Sequence, residues 1–194
     1  RVNVLLPTGR APTVLISGVQ MHRVRDVDPW ADTERKIRTI APVTGRVLDT
    51  CTGLGYTAIV AARTAAEVVT IELDPAILEV ARLNPWSRPL FENPRIRQIV
   101  GDALDEVDIL ADGSFGRIIH DPPMFNLAGD LYSGEFYRSL YRVLAPRGRL
   151  YHYVGDPESR SGRSATNGAL RRLQEAGFSR VVRRPEAFGL LASK

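Results

Sequence analysis

Four stretches of the chain carry residues whose types and spacing could build a ligand site. The first is VLDTCTGLGYTA, Val47 to Ala58, in which Gly53 and Gly55 let the backbone turn sharply and approach a ligand closely. A helix following that loop would offer its N-terminal amides. Gly53, Gly55 and Ala58 match G-x-G-x-x-A, a pattern shared with nicotinamide-binding domains, and Glu72 stands where such a domain puts its ribose-binding acid. Asp49 is the discriminator: a carboxylate at the mouth of this loop repels a pyrophosphate and suits a cofactor bearing ammonium and sulfonium charge. In the third stretch, Gly101-Asp102-Ala103, the acid can accept a hydrogen bond from an adenine amino group while Ile99 and Leu73 line the ring. The fourth reads IIHDPPMF, Ile118 to Phe125. Its proline pair fixes a rigid loop after a buried strand, and Pro122 offers a carbonyl but no competing amide donor. Asp121 can then accept from a proton-bearing group of a substrate or hold a cofactor amine, and Phe125 gives a base a surface to stack on. A Pro-Pro turn with a core-packing Phe is the plainer reading of the same residues.

Other reactive side chains read more simply. Cys51 has the type of a covalent nucleophile, but a lone cysteine in a strand-end loop is usually a small buried hydrophobe. It forms no zinc cluster with the scattered His22, His120 and His152, so no metal is expected. His152 and Tyr153, at the end of a strand, read as pocket wall, with His152 a substrate contact. Trp30 reads as a packing anchor.

These residues need strands that end at one edge. From Gly45 onward apolar strand-like runs alternate with helical stretches, the pattern of a parallel sheet covered on both faces. Strands are expected at Arg46 to Thr50, Glu67 to Glu72, Ile96 to Gly101, Gly116 to Asp121 and Gly148 to Val154. Helices are expected at Tyr56 to Arg63, Pro75 to Leu83, Glu135 to Leu144 and Asn167 to Ala176, then a hairpin of Arg180 to Arg184 with Ala187 to Ala192. The expected architecture is α/β: a Rossmann-like, doubly wound, mostly parallel seven-stranded sheet. Before it, Val2 to Val24 reads as a β-hairpin element without a core of its own, and Asp28 caps a bridging helix reaching about Ile40. The division is therefore residues 1–40, hairpin and bridging helix, and residues 41–194, the ligand-binding domain.

With 194 residues, 44% hydrophobic and 25% charged, the chain can bury one real core, which argues against disorder. Its apolar runs are too short to cross a bilayer and no secretory leader precedes them, so a soluble, cytoplasmic protein is expected, slightly trimmed because it starts at Arg1. The net charge of +4 is built from arginine, with Lys36 and Lys194 the only lysines. Arginine suits phosphate and base edges, although a compositional bias gives the same excess.

The order of glycine loop, acid, Gly-Asp and Asp-Pro-Pro resembles the class I S-adenosylmethionine methyltransferases over roughly Arg46 to Ala192. The stretches DTCTGLGYTA and IIHDPPMFNLAGDLYSGEFYR resemble a family of predicted archaeal methyltransferases. The resemblance implies S-adenosylmethionine as cofactor. It puts Asp49, Gly53 and Gly55 at the methionine part, Glu72 at the ribose, Asp102 at the adenine and Asp121 at the reacting end, with Leu73 and Ala103 beside them. Met124 rather than an aromatic follows the prolines, and Asp-Pro-Pro-x-Phe looks like ribosomal RNA methyltransferases acting on ring positions. The expected substrate is an rRNA or tRNA base, with Arg160 and Arg163 flanking the Asp-Pro-Pro loop. A second resemblance is to spermidine synthases, carried by Ile16-Ser17-Gly18-Val19-Gln20 and by Leu131 to Tyr137. It implies aminopropyl transfer and makes Gln20 a ligand contact, but the glycine loop lacks that family's Gly-Gly-Gly-Asp-Gly run. A non-catalytic RNA-binding protein on the same fold is the remaining alternative.

Overall fold

The computed structural model describes residues 2–124, 127–156 and 158–194, without the side chain of Ser161. Asn3–Leu6 (β1), Thr13–Ile16 (β2) and Val19–Gln20 (β3) form a small antiparallel sheet. Ser17 and Gly18, with φ of 50° and 83°, make the two-residue turn that joins β2 to β3, as a tight hairpin requires. The chain then reaches helix α1 (Pro29–Thr39), started by Pro29 and capped by the Asp28 carboxylate, which accepts from Trp30 N at 3.0 Å and Ala31 N at 3.2 Å.

The main sheet contains Arg46–Asp49 (β4), Glu67–Glu72 (β5), Ile96–Val100 (β6), Phe115–His120 (β7), Leu144–Tyr153 (β8), Arg180–Arg184 (β9) and Gly189–Ser193 (β10). Their spatial order is β6-β5-β4-β7-β8-β10-β9. Strands β4 to β8 pair in parallel, and β10 pairs antiparallel with both β8 and β9. This is the expected seven-stranded, mostly parallel α/β sheet.

Alternate residues of each strand feed two core layers, because successive side chains point to opposite faces. Val47, Val68 and Ile119 pack with Ile37 of α1, with Ile40 at its C-cap, and with α2 (Tyr56–Ala61), α3 (Pro75–Arg82) and α4 (Arg88–Glu92). Leu48, Val69 and Ile118 pack on the other face with α5 (Ala103–Asp108), α6 (Gly134–Val143) and α7 (Arg160–Glu175). Ala11 and Val14 are fully buried in the first of these layers, so the N-terminal element shares the core of the sheet. Tyr56 fixes it there by donating to Pro12 O at 2.9 Å. Trp30 anchors α1 as a packing residue, its ring 5.6 Å from Tyr56 and 5.2 Å from Trp86.

Some expected boundaries move. Helix α7 starts at Arg160, not Asn167, because Ser159 caps it by accepting from Gly162 N at 2.9 Å. Helices α4 and α5 are too short to show a period, and β3 stops at Gln20, after which residues 21–27 form neither strand nor helix, although Met21 N still donates to Val14 O of β2 at 3.0 Å. None of the helices among the described residues is long and apolar enough to span a membrane.

Candidate functional site

The order of strands reverses between β4 and β7, and open α/β sheets bind ligands outside the carboxyl ends of the strands at such a point. A cavity of about 820 Å³ lies there. Its floor is the loop Thr50 to Gly53, the tip of β5, the start of α5 and Asp121 to Met124. Val14 to Asp26 of the N-terminal segment form its roof.

On one side, three expected residues converge. Gly53 adopts φ +53°, and a Cβ there would meet no atom within 4 Å, so the loop opens its backbone to the cavity. Its amide donates to Glu72 Oε2 at 2.8 Å, while Asp74 N donates to Oε1 at 3.0 Å. These bonds pin the Glu72 carboxylate against the loop, and burial raises its pKa above the ordinary glutamate value. Asp102 also lines the cavity, with Oδ1 capping α5 through Leu104 N at 2.9 Å. Leu73 and Ala103 contribute apolar wall, and Gln20 lines the roof, its Nε2 donating to His22 O at 2.8 Å.

Two members of the expected glycine-loop set lie beneath the wall. Asp49 is fully buried, and its Oδ2 accepts from Thr70 at 2.8 Å and Thr57 at 3.1 Å. Burial pushes its carboxyl up to about 8, and its buried Oδ1 has no partner among the described residues. Its charge therefore does not face the cavity, and repulsion of a pyrophosphate falls instead to Glu72, Asp102 and Asp121, which line it. Gly55 (φ +78°) is needed for close packing instead: a Cβ there would stand 2.6 Å from Leu90 Cδ2.

The opposite side is built on Asp121. Lys36 Nζ lies 2.7 Å from Asp121 Oδ2 and 3.2 Å from Asp32 Oδ2, and Arg23 Nη1 lies 2.6 Å from Asp32 Oδ1. The four side chains form a charge-balanced chain from the roof, through α1, to the end of β7. Burial pulls the Lys36 ammonium down, but Asp121 and Asp32 together outweigh it and hold its pKa above the usual lysine value. Burial raises the Asp121 pKa, and Lys36 opposes that rise. Lys36 also sits 4.9 Å from the centre of the Tyr153 ring, and Arg23 sits 3.4 Å from that of Phe188. Sequence reasoning missed this chain. Its one signal was a lone internal lysine in an arginine-rich protein, four residues after an aspartate on the bridging helix. Pro122 is buried in the cavity wall, while Phe125 lies outside the described residues.

Three expected substrate contacts stand elsewhere. His152 is fully buried behind the site, because its Nε2 accepts from Tyr137 Oη at 2.7 Å and its ring stacks 4.4 Å from His120. His120 is buried too, between Thr50 Oγ1 at 2.7 Å and Leu131 O at 2.8 Å. Arg160 and Arg163 are exposed on the first turn of α7 and do not line the cavity. Cys51 does line it, but burial pushes its thiol well above the ordinary range, which disfavours a thiolate nucleophile.

Residues 47–148 match the family model described as Methyltransferase domain. The chain belongs to this methyltransferase family. An uncharacterized protein of Methanocaldococcus jannaschii is 49% identical over 192 residues, covering 98% of the methyltransferase chain and 66% of its own length. A polyamine aminopropyltransferase of Mycobacterium tuberculosis is 35% identical over 99 residues, 48% of this chain and 19% of its own. The chain thus spans less than two thirds of either relative. A solved spermidine synthase in complex with the transition state analogue AdoDATO superposes with a TM-score of 0.81 over 94% of this chain and 66% of its own, at 20% identity. A putative S-adenosylmethionine-dependent methyltransferase of Methanococcus maripaludis gives 0.57 over 86% and 85%, at 19% identity. At these identities the likeness to both structures is one of fold.

The residues present fit an S-adenosylmethionine-type cofactor. The open side of Gly53 leaves room for close approach, Glu72 and Asp102 offer acceptors to a ribose and an adenine amino group, and the rim is anionic where a sulfonium cofactor is cationic.

Proposed function

We propose that the protein is a cytoplasmic S-adenosylmethionine-dependent methyltransferase that modifies a base of rRNA or tRNA. The observation that carries the transfer reading is that Asp121, held by Lys36 at 2.7 Å, faces the same cavity as Glu72, Asp102 and Gly53. When bound, the cofactor supplies a methyl group on a positively charged sulfur. Asp121 orients the acceptor: Lys36 engages its Oδ2, leaving Oδ1 to accept a hydrogen bond from an N–H of the target and to take that proton. The roof, with Val19, Met21 and Val24, excludes water from the charge being dispersed. The net charge of +4 supports a polyanionic acceptor.

Incubation with methyl-labelled S-adenosylmethionine and total archaeal RNA, followed by nucleoside mass spectrometry, tests this reading. One methylated nucleoside is expected, and it should vanish with Asp121→Asn. Label that appears only in small molecules overturns the RNA assignment.

A second reading, aminopropyl transfer, is favoured by the 35% identity over 99 residues to the polyamine aminopropyltransferase of Mycobacterium tuberculosis. Tighter binding of decarboxylated S-adenosylmethionine than of the intact cofactor, with turnover of a diamine, would establish it. We expect the opposite preference.

A further inference from the structure

Away from the cavity, the α1 face of the sheet carries a cluster of arginines that the transfer chemistry does not use. Arg149 of β8, Ser193 of β10 and Arg180 of β9 are in register across neighbouring strands and so point to one face. With Arg184 of β9 and Thr39 at the end of α1, they line a pocket of about 170 Å³ floored by Val182 and Leu191. No carboxylate among the described residues pairs with any of the three arginines, whereas Arg46, Arg63 and Arg142 elsewhere are each paired with one. Arg184 Nε is buried with no hydrogen-bond partner among the described residues. A buried, unpartnered guanidinium donor beside two like charges is unfavourable unless an anion completes it.

The cluster also has a direction. Arg184 pairs across β10, through Gly189, with Tyr153, whose side chain lines the cavity. Arg180 lies four residues further down β9, roughly 13 Å away at about 3.3 Å per residue. The guanidinium track therefore starts at the carboxyl edge of the sheet, where the cavity lies, and runs along the flank of α1, the helix that also carries Lys36. Arg149 Nη1 donates to Ala41 O and Arg117 Nε to Ile40 O at 2.6 Å, so the end of α1 is fixed on this surface.

We propose that this groove binds the phosphodiester backbone of the RNA strand whose target base enters the cavity at Asp121. The proposal rests on the RNA reading above and replaces Arg160 and Arg163 with Arg149, Arg180 and Arg184 as the backbone contacts. Planar guanidinium forks match phosphate oxygens, and Ser193 adds a hydroxyl donor.

The test is fluorescence anisotropy of a labelled single-stranded RNA oligonucleotide across a salt series. The probe proteins are wild type, Arg180→Ala/Arg184→Ala, Arg180→Lys/Arg184→Lys, and Arg160→Ala/Arg163→Ala. The first double variant should weaken RNA tenfold or more and flatten the log-log salt slope by about 0.7 for each phosphate that is no longer neutralised. The lysine variant should recover most of the slope, which a folding defect would not allow. The Arg160/Arg163 variant and S-adenosylhomocysteine affinity should stay near wild type. Unchanged RNA binding by Arg180→Ala/Arg184→Ala overturns the groove and leaves the RNA reading standing. A wild-type protein that binds no RNA overturns both. Inorganic phosphate that raises the melting temperature of wild type but not of the variant, with RNA affinity equal in both, identifies a small-anion site and also overturns the proposal.

Discussion

Lys36 Nζ and Asp121 Oδ2 lie 2.7 Å apart although 85 residues separate them in the chain. One belongs to the helix that bridges the N-terminal element, the other to the strand end on which the proposed transfer depends. Side-chain exposures of 7% and 19% make the pair largely buried, so removing the cation leaves Asp121 without its counter-ion and Asp32 held by Arg23 alone. Lys36→Met should lower stability by about 3 kcal/mol, read from the urea midpoint. The upward push of burial on Asp121 then goes unopposed, so the acid limb of the methyl-transfer pH profile should move to higher pH. Adding Asp121→Asn should recover stability without recovering activity.

Asp49 makes the fold proton-dependent in an unusual direction. Its pKa is raised from 3.8 to about 8, so the native state keeps a proton that the unfolded chain has lost. Its stabilising contribution is therefore complete below pH 3.8 and is lost as pH rises through 8, at about 1.4 kcal/mol per pH unit. Asp49→Asn retains an acceptor for Thr57 and Thr70, so it should fold and flatten the decline in stability between pH 6.5 and 8. A decline of undiminished steepness in that variant would assign it to other groups, such as Glu72 and Asp121, which burial also raises.

The buried histidines act with the opposite sign. Burial lowers His22 to about 3 and His120 to about 4, and holds His152 well below its ordinary value. Each is neutral in the fold but charged in the unfolded chain below pH 6.5, so stability is complete above that pH and is lost as pH falls through the folded values. These three protons outnumber the one held by Asp49 and are opposed only in part by Glu72 and Asp121, so stability should fall from pH 6 toward 4. Chemical denaturation across this range should show a stability maximum near pH 6.5, and His152→Phe should shallow the acid side.

The strand tips bearing Glu72, Asp102 and Asp121 were legible because buried parallel strands are near-continuous apolar runs and their ends are marked by acid, glycine or proline. The α/β sheet followed from the same alternation. What a residue at a strand end faces was not legible: Asp49 precedes its glycine loop as expected, yet it turns under the loop to Thr57 and Thr70. The Lys36 to Asp121 contact depends on how α1 docks, which no local pattern encodes. His152 looked like pocket wall because it shares a strand with Tyr153, but alternation sends adjacent residues to opposite faces.

The two glycines of the loop should fail for different reasons. Gly53 and Gly55 both have positive φ, so alanine at either strains the backbone by about 1–2 kcal/mol. At Gly53 the new methyl meets no protein atom within 4 Å, and the residue lines the cavity proposed to hold the cofactor. Gly53→Ala should therefore unfold only slightly earlier than wild type while its affinity for S-adenosylhomocysteine, measured by calorimetry, falls tenfold or more. At Gly55 the methyl would stand 2.6 Å from Cδ2 of Leu90, a side chain only 1% exposed with little room to retreat. Gly55→Ala should therefore lose more stability than Gly53→Ala, by the overpacking that costs about 1–3 kcal/mol in a filled core. Shortening the neighbour in Gly55→Ala/Leu90→Ala should relieve that clash, so the two substitutions should cost less together than the sum of their separate effects. Equal cofactor loss in Gly53→Ala and Gly55→Ala, scaling only with stability, would remove Gly53 from the site.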